Sequence, residues 1–273
     1  MVRFTSLGPV SLCLLLISFS QTILADDDWS VRGYLKSFAL AQDALELNNA
    51  PPELDTGDRL YQSQNSLRLM FAYFHGDSAA FEIHYEVSPI YYSSPVEQDV
   101  LAGSTFAIPA NSYRLTEPSA TLGSRQDKSV IYQNLDRFNV QVNFRSGDLT
   151  IGRQAISFGS ARIISPSDVF LPFDEKTLNQ EYRIGVDAIR FQKPLNDLSE
   201  LDMGVILGMD GTSENSAVFV QALTNRSGAD ISGTLMRYSR QNLIGAGIQS
   251  AIGDFGFWLE AAYVWGDAQY TRL

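Results

Sequence analysis

Three ionisable side chains stand at alternate positions of one predicted strand, namely Glu82, His84 and Glu86. Alternate residues of a strand project from the same face, so these three share one side of a sheet. They are spaced by roughly 6.6–6.8 Å along the backbone. Three ligands of one metal ion must each come within about 2 Å of it, which this spacing disfavours. The row therefore predicts a polar lining rather than a metal site.

A second group of ionisable side chains combines both signs of charge in one stretch of the chain. Opposite charges that face each other across a narrow aqueous passage orient and filter solutes. The alternative is a solvated surface loop whose ion pairs are each worth roughly 0–1 kcal/mol. We interpret the group as candidates for a constriction. Its members are Arg153, Arg162, Asp168, Asp174, Glu175, Lys176, Arg183, Asp187 and Arg190.

Enzymatic chemistry has little support in the residues present. A nucleophilic serine needs a histidine that a third group orients. The chain has only two histidines, His75 in a predicted turn and His84 in the middle of a predicted strand. No glycine-rich loop of the kind that cradles phosphates is present. We therefore predict a protein that is not an enzyme and that carries no cofactor.

The polar row lies in a predicted hairpin that covers residues 67–87. Along both arms, apolar side chains alternate with a second set, which in the later arm is Glu82, His84, Glu86 and Ser88. Alternation with period two places one set on each face of a sheet. The apolar face would meet another sheet in a soluble sandwich, or lipid in a membrane barrel with a watery lumen.

The same alternation predicts eleven strands in all. Turns after even-numbered strands are short, whereas residues 45–58, 89–134 and 158–183 form long connections. Short turns on one side and long loops on the other are typical of outer-membrane barrels. The predicted strands are the two arms of 67–87 together with 29–40, 137–144, 149–156, 184–192, 201–208, 217–223, 231–238, 243–252 and 255–265.

Aromatic residues near the predicted strand ends support the membrane interpretation, because aromatic girdles lie at the two interfaces of such barrels. We therefore predict an all-β, antiparallel transmembrane β-barrel of the outer-membrane type. A soluble periplasmic β-domain is the alternative fold. The aromatic residues concerned are Tyr61, Tyr73, Phe74, Tyr91, Tyr92, Phe144, Phe255, Tyr263 and Trp265.

The first 25 residues read as a Sec signal peptide. Arg3 precedes a short apolar run at residues 12–19, and a cleavage site near Ala25 follows. Cleavage would remove Cys13, the only cysteine, and would leave residues 26–273 as the barrel domain in the outer membrane of a Gram-negative bacterium. The net charge of −11 argues against nucleic acid as a partner.

The end of the chain is unusual for a complete barrel. Leu273 follows soon after an odd-numbered strand, and no terminal aromatic residue is present. An unpaired strand edge in lipid would leave backbone groups unsatisfied, at several kcal/mol each. We therefore expect residues 26–273 to be the N-terminal part of a larger barrel.

A resemblance adds to this interpretation. Residues 152–174, GRQAISFGSARIISPSDVFLPFD, and residues 182–190, YRIGVDAIR, resemble uncharacterised porin-like proteins of the Gram-negative outer membrane. Those proteins lie in the neighbourhood of the alginate-export and phosphate-selective porins. They often have Trp-Gly in place of Phe158-Gly159, and Asn-Pro-Thr-Asp in place of residues 165–168. The resemblance implies a barrel, and it carries over no particular substrate.

The expected function is passive diffusion of small hydrophilic or charged solutes through an outer-membrane channel. The alternative is a structural or adhesive barrel with residues 89–134 as a surface binding loop. The expected surroundings are outer-membrane lipid and lipopolysaccharide. The outward side chains Leu201, Met203 and Val205 suit lipid and a second protomer equally well, so a homo-oligomer is an open alternative.

Overall fold

The structure is a computed structural model that describes part of the chain. The described residues are 11–21, 29–42, 60–92, 113–116, 121–122, 129–159, 165–170 and 185–266. These residues form antiparallel strands of a single sheet, with one short 3₁₀ turn at Met209–Gly211. Within these ranges no helix has the length and apolar character that crossing a membrane requires.

Thirteen strands make up the sheet, and along the main path each pairs with the strand before and after it. The short strand β5 pairs beside this path with β6, which itself follows β4. The strands are β1 Ser11–Gln21, β2 Trp29–Gln42, β3 Leu60–His75, β4 Ala79–Tyr92, β5 Thr121–Leu122, β6 Ser129–Phe144, β7 Gly147–Gln154, β8 Val186–Asn196, β9 Ser199–Leu207, β10 Ala217–Arg226, β11 Ala229–Tyr238, β12 Gln241–Ile252 and β13 Phe255–Gly266.

The pairing order ends at β1 on one side and at β13 on the other. In the described part of the chain these two strands do not pair with each other, so the sheet is open. The predicted all-β, antiparallel class is confirmed. Closure of the sheet into a barrel stays a prediction.

The eleven predicted strands correspond to β2–β4 and β6–β13. Several are longer than predicted, because the ladder continues into segments that lack clear alternation. In β8, for example, the strand runs through Pro194 to Asn196, where a turn was expected. The register of β8 against β9 shifts between Pro194 and Asn196, as expected next to a residue without a backbone N–H.

Two strands were not predicted, β1 and the two-residue β5. β1 contains the apolar run assigned to the signal peptide, and it pairs with β2 from Ser11 opposite Ala41 to Gln21 opposite Val31. Its leucine, isoleucine and phenylalanine residues suit a strand, and β2 offers an open backbone edge. Cleavage near Ala25 stays a prediction about the mature chain.

The two faces of the sheet differ in chemistry as the hairpin predicted. On one side, here the apolar face, Leu69 stands opposite Tyr85 and is 55 % exposed. On the other side, here the polar face, Arg68 stands opposite Glu86, and both are buried. The pairing register extends the apolar and polar faces across the sheet. Paired residues on neighbouring strands point to the same face, and successive residues of one strand alternate between the two faces.

The connections sort by length at the two ends of the strands. Residues 76–78, 145–146, 197–198, 227–228 and 253–254 make short turns at one end, here the turn end. At the opposite end, here the loop end, the connections are 43–59, 93–128, 155–185 and 208–216, with a tight turn at Ser239–Arg240 as the exception. The prediction that long loops lie on one side holds for all but that turn.

An apolar core covers the loop end of the polar face along β8–β12. Phe158 is fully buried there against the ring of Phe219, with ring centroids 4.8 Å apart. The polar lining predicted from Glu82, His84 and Glu86 therefore does not extend over this part of the face. Apolar side chains occur here because a chain segment, not water, covers them. The core residues are Ile156, Phe158, Phe170, Val186, Ala188, Ile206, Ala217, Phe219, Met236 and Leu243.

Candidate functional site on the polar face

A buried network of charges lies where β3, β4 and β6 meet on the polar face. Arg68 donates one hydrogen bond to Glu86, over 3.2 Å, and another to Asp136. Glu86 Oε1 also accepts from Ser66 Oγ at 2.6 Å and from Ser88 Oγ at 3.0 Å. Buried charges persist only when they are paired and hydrogen-bonded, and each of these carboxylates meets that condition.

A β-bulge brings Asp136 into this network. The register of β4 against β6 shifts between His84 and Tyr85, and Asp136 and Arg137 are both buried although they are consecutive. Asp136 Oδ1 lies 2.9 Å from Arg137 Nη1 in an ion pair and accepts from the backbone N–H of Gly185 at 2.8 Å, while Arg137 Nη1 donates to the backbone carbonyl of Asp136 at 2.9 Å. Asp136 lies just before the predicted strand 137–144, and extending the alternation of that strand would place Asp136 on the opposite face, so the sequence did not indicate it.

The predicted row Glu82, His84 and Glu86 lies on the polar face of β4. Its neighbours on β6 are Asn139 opposite Glu82 and Arg137 opposite His84. Among the residues that the structure describes, no three side chains of metal-binding type are grouped closely enough to hold an ion. The row thus belongs to the wall that contains the Arg68 network.

Arg153 and Asp187 form a two-pronged ion pair at the loop end of β7 and β8. Arg153 Nε lies 2.8 Å from Asp187 Oδ1, and Arg153 Nη2 lies 2.9 Å from Asp187 Oδ2. Arg153 Nη2 also donates to the carbonyl of Thr116 at 2.8 Å, while Asp187 Oδ2 accepts from the N–H of Leu115 at 2.8 Å. The pair therefore fastens residues 113–116, part of the long connection before β6, to the strand ends.

Two further contacts hold the same segment. Arg114 is buried and donates to the carbonyl of Gly185 at 2.9 Å and to Asn134 Oδ1 at 2.8 Å. The ring of Tyr113 stands edge-on to Phe170, with centroids 4.6 Å apart. Burial raises the pKa of the Tyr113 phenol. The two long connections thus touch each other above the polar face.

The segment 165–170, here the inward segment, belongs to the second of these connections. Phe170 is part of the apolar core, and the backbone N–H of Asp168 donates to the carbonyl of Ser165 at 3.1 Å in a tight turn. Asp168 is buried. The segment thus lies on the polar face of the sheet, and its part in a constriction stays a prediction.

Nearer the turn end, β8 and β9 carry another ion pair. Arg190 Nη2 lies 2.6 Å from Asp202 Oδ2, and Arg190 Nε lies 2.9 Å from Asp202 Oδ1. Gln192 donates to Glu200 at 3.0 Å beside it. The predicted charges Arg153, Asp187 and Arg190 are therefore engaged in ion pairs. The other predicted members, Arg162, Asp174, Glu175, Lys176 and Arg183, lie outside the described residues.

The apolar face has its own pattern of aromatic rings across β2, β3, β4 and β6. Trp29 lies 4.7 Å from Tyr73 and 5.1 Å from Phe71, measured between ring centroids. Phe81 continues the row, 6.5 Å from Phe71 and 5.8 Å from Phe138. Trp29, Tyr73 and Phe81 lie close to the turn end, where an interfacial girdle would be expected.

Comparison of the chain with protein-family models, with curated proteins and with solved structures found no match. The residues and their geometry therefore carry the argument about function. They combine an exposed apolar face, a polar face with paired charges, and two chain segments that fold over the polar face.

Proposed function

We propose that this chain forms the wall of an outer-membrane pore for small hydrophilic or charged solutes. The observation that carries the proposal is the contrast between the two faces. Leu67 and Leu69 on β3, Phe138 and Val140 on β6 and Ile151 on β7 are each more than two-fifths exposed on the apolar face, and Tyr85 on the intervening β4 is 36 % exposed. Contiguous exposed apolar surface of this extent marks a membrane or a partner interface.

Lipid suits this surface better than a second soluble sheet does. The exposed apolar side chains continue across the sheet, for example through Ile189, Val205, Leu235 and Ile244. Within a bilayer every backbone group must be paired, so the proposal requires that the sheet close into a barrel. The antiparallel order, with short turns at one end, supports closure of that kind.

The polar face supports the proposed passage of solutes. Ion pairs such as Arg68–Glu86 and Arg190–Asp202 place both signs of charge along the wall. The inward segment and residues 113–116 lie over the same face at the loop end. In a closed barrel they would restrict the width of the proposed passage. Attachment of residues 113–116 to the strand ends favours this role over display of that loop as an adhesive surface.

The test is to express the complete protein that contains this chain, with its leader, in a Gram-negative host and follow it through fractionation. We expect extraction from the envelope by detergent but not by alkaline carbonate, and stepwise conductance after reconstitution into planar bilayers. Release without detergent would contradict the membrane assignment. A folded, membrane-inserted protein without conductance would contradict the pore.

Export by the Sec route is part of the same proposal. The mass of the protein purified from the envelope should correspond to a chain that begins at Asp26. In that case the leader that forms β1 in the unprocessed chain is absent, and the edge of β2 is free for the proposed closure. A mature protein that retains residues 11–21 would contradict this step.

A further inference from the structure

Glu260 on β13 binds the inward segment from the far side of the apolar core. Its Oε1 atom lies 2.8 Å from Ser165 Oγ and 3.0 Å from the backbone nitrogen of Ser167, whose N–H it accepts. Glu260 is the only charged residue of β13, whose sequence is FGFWLEAAYVWG. Glu260 is half-buried, and the hydrogen bonds from the inward segment offset the cost of removing its carboxylate from water.

Two glycines allow this close approach. Gly159 has φ of +86°, and a Cβ atom there would overlap Ser165 Oγ and both carboxylate oxygens of Glu260. At Gly245 on β12, a Cβ atom would overlap Ser167 Oγ. The positive φ and the missing side chain are therefore both needed at Gly159. At Gly245 the inward segment lies directly against β12.

The Phe158-Gly159 and Ser165–Asp168 motifs of the sequence thus converge on one point. Ser165 Oγ also lies 2.8 Å from the carbonyl oxygen of Phe158, so its single proton serves that carbonyl and Glu260 alternately. Phe158 itself packs in the apolar core. The backbone at residues 158–159 and at 165–167 is consequently tied together and to β13 by one carboxylate.

We propose that Glu260 is the positioning residue that holds the inward segment over the polar face and so sets the width of the passage. The inference rests on the proposed pore for its functional consequence. The attachment itself rests only on the contacts of Glu260, Gly159 and Gly245. Without the carboxylate, Phe158 and Phe170 still anchor the segment, so residues 165–167 detach without loss of the sheet.

The first experiment tests the attachment by a disulfide between Ser167→Cys and Gly245→Cys. A Cβ atom built at Gly245 lies 3.3 Å from Ser167 Cβ, close to the roughly 3.5–4.5 Å that disulfides span. Every variant also carries Cys13→Ser. We expect rapid cross-linking in the membrane-inserted protein under mild oxidation, detected by mass spectrometry of unreduced peptides.

The matched control pairs Ser167→Cys with Gly233→Cys on β11. A Cβ atom at Gly233 would meet nothing within 4 Å, so the variant with Gly233→Cys should fold normally and its two cysteines should not cross-link. Absence of the disulfide between positions 167 and 245 in a folded protein would overturn the attachment.

The second experiment asks whether Glu260 holds the segment. Adding Glu260→Ala to the 167/245 pair should slow cross-linking at least about tenfold, since hydrogen bonds to a charged group are lost. Glu260→Gln keeps an acceptor oxygen and should slow it less. The control is Glu214→Ala, which removes an exposed carboxylate that pairs with Arg240. Equal rates for Glu260→Ala and the parent would overturn the proposal.

Conductance separates this inference from the pore itself. If the protein conducts, Glu260→Ala should raise single-channel conductance, whereas Glu214→Ala should leave it unchanged. If cross-linking depends on Glu260 but the protein does not conduct, the proposed pore is contradicted and the attachment by Glu260 is supported. Conductance that is the same with and without the Glu260 side chain would contradict its role in setting the width. Far-UV circular dichroism confirms folding of each variant.

Discussion

The polar face has two regions that are stabilised in opposite ways. In the charged region, on β3, β4 and β6, the buried groups are Arg68, Glu86 and Asp136, which pair with one another. In the covered region, at the loop end of β8–β12, the buried groups are apolar and pack against Phe158 and Phe170. One continuous face therefore changes from paired charges to an apolar core within a few strands.

The difference teaches that register alone does not determine the chemistry of a face. Alternation fixes which side chains share a face, and a chain segment lying on that face determines what those side chains must be. The charged region has no large apolar cover among the described residues. The covered region has one because the inward segment lies on it.

The largest expected effect on the free energy of unfolding comes from a substitution in the charged region. Arg68 is 1 % exposed and serves two carboxylates, so Arg68→Ala leaves both Glu86 and Asp136 buried without it. We expect the free energy of unfolding to fall by about 5 kcal/mol, the upper end for removal of one partner of a buried ion pair. Urea unfolding from lipid vesicles measures this, with the exposed Arg226→Ala as control. A loss of less than about 1 kcal/mol would mean that water reaches the two carboxylates.

The next effect breaks the covered region. Phe158→Ala removes a ring that is fully buried against Phe219 and Phe170. We expect a loss of about 3 kcal/mol in the same unfolding measurement, the low end for phenylalanine, because the segment above can settle into the space. The comparison is Phe255→Ala, at a ring that is 81 % exposed and leaves no cavity when it is removed, so its loss should be smaller. Equal losses for the two variants would show that Phe158 is not in a packed core.

A smaller effect sharpens the boundary between the two regions. Asp202→Asn keeps an acceptor oxygen for Arg190 but removes the charge, and the Asp202 side chain is only 2 % exposed. We expect a loss of about 2 kcal/mol, within the range for hydrogen bonds to charged groups. Asp254→Asn, in the exposed turn before β13, is the control. No difference between the two would assign Asp202 to the solvated part of the wall.

The smallest effect compares the two faces at positions on neighbouring strands. Ile206→Val removes one methylene from a fully buried residue of the covered region. It should lower the free energy of unfolding by about 1 kcal/mol. The same substitution at Ile189, which is 45 % exposed on the apolar face of β8, leaves no cavity in a packed core and should lower it less. A reversed order would contradict the placement of the core on the polar face.

Alternation predicted most of the strands and both faces of the hairpin, because period two is a local property of the chain. It also placed Glu82, His84 and Glu86 on one face. It missed β1, since a leucine-rich run reads equally well as an export signal. The observed strand ends differ from the predicted ones where backbone pairing continues beyond the alternating residues, because such pairing requires no particular pattern of side chains.

The site was harder to predict than the fold. Asp136 escaped because a bulge places two consecutive residues on the polar face, and bulges leave no mark in the alternation. The apolar core escaped because its cover comes from a connection, not from a strand. Glu260 gave one usable signal, a lone carboxylate in an uncharged strand, but its partners are set by tertiary structure.

The tie between Glu260 and Ser165 also orders the assembly of the chain. The two residues are 95 positions apart, whereas each hairpin closes through residues that are near neighbours in sequence. Local pairings form before distant ones, because closing a long loop costs more entropy. The inward segment therefore becomes fixed only after β13 has joined β12. Detachment of β13 would release residues 165–167 first, well before the hairpins nearer the start of the chain come apart.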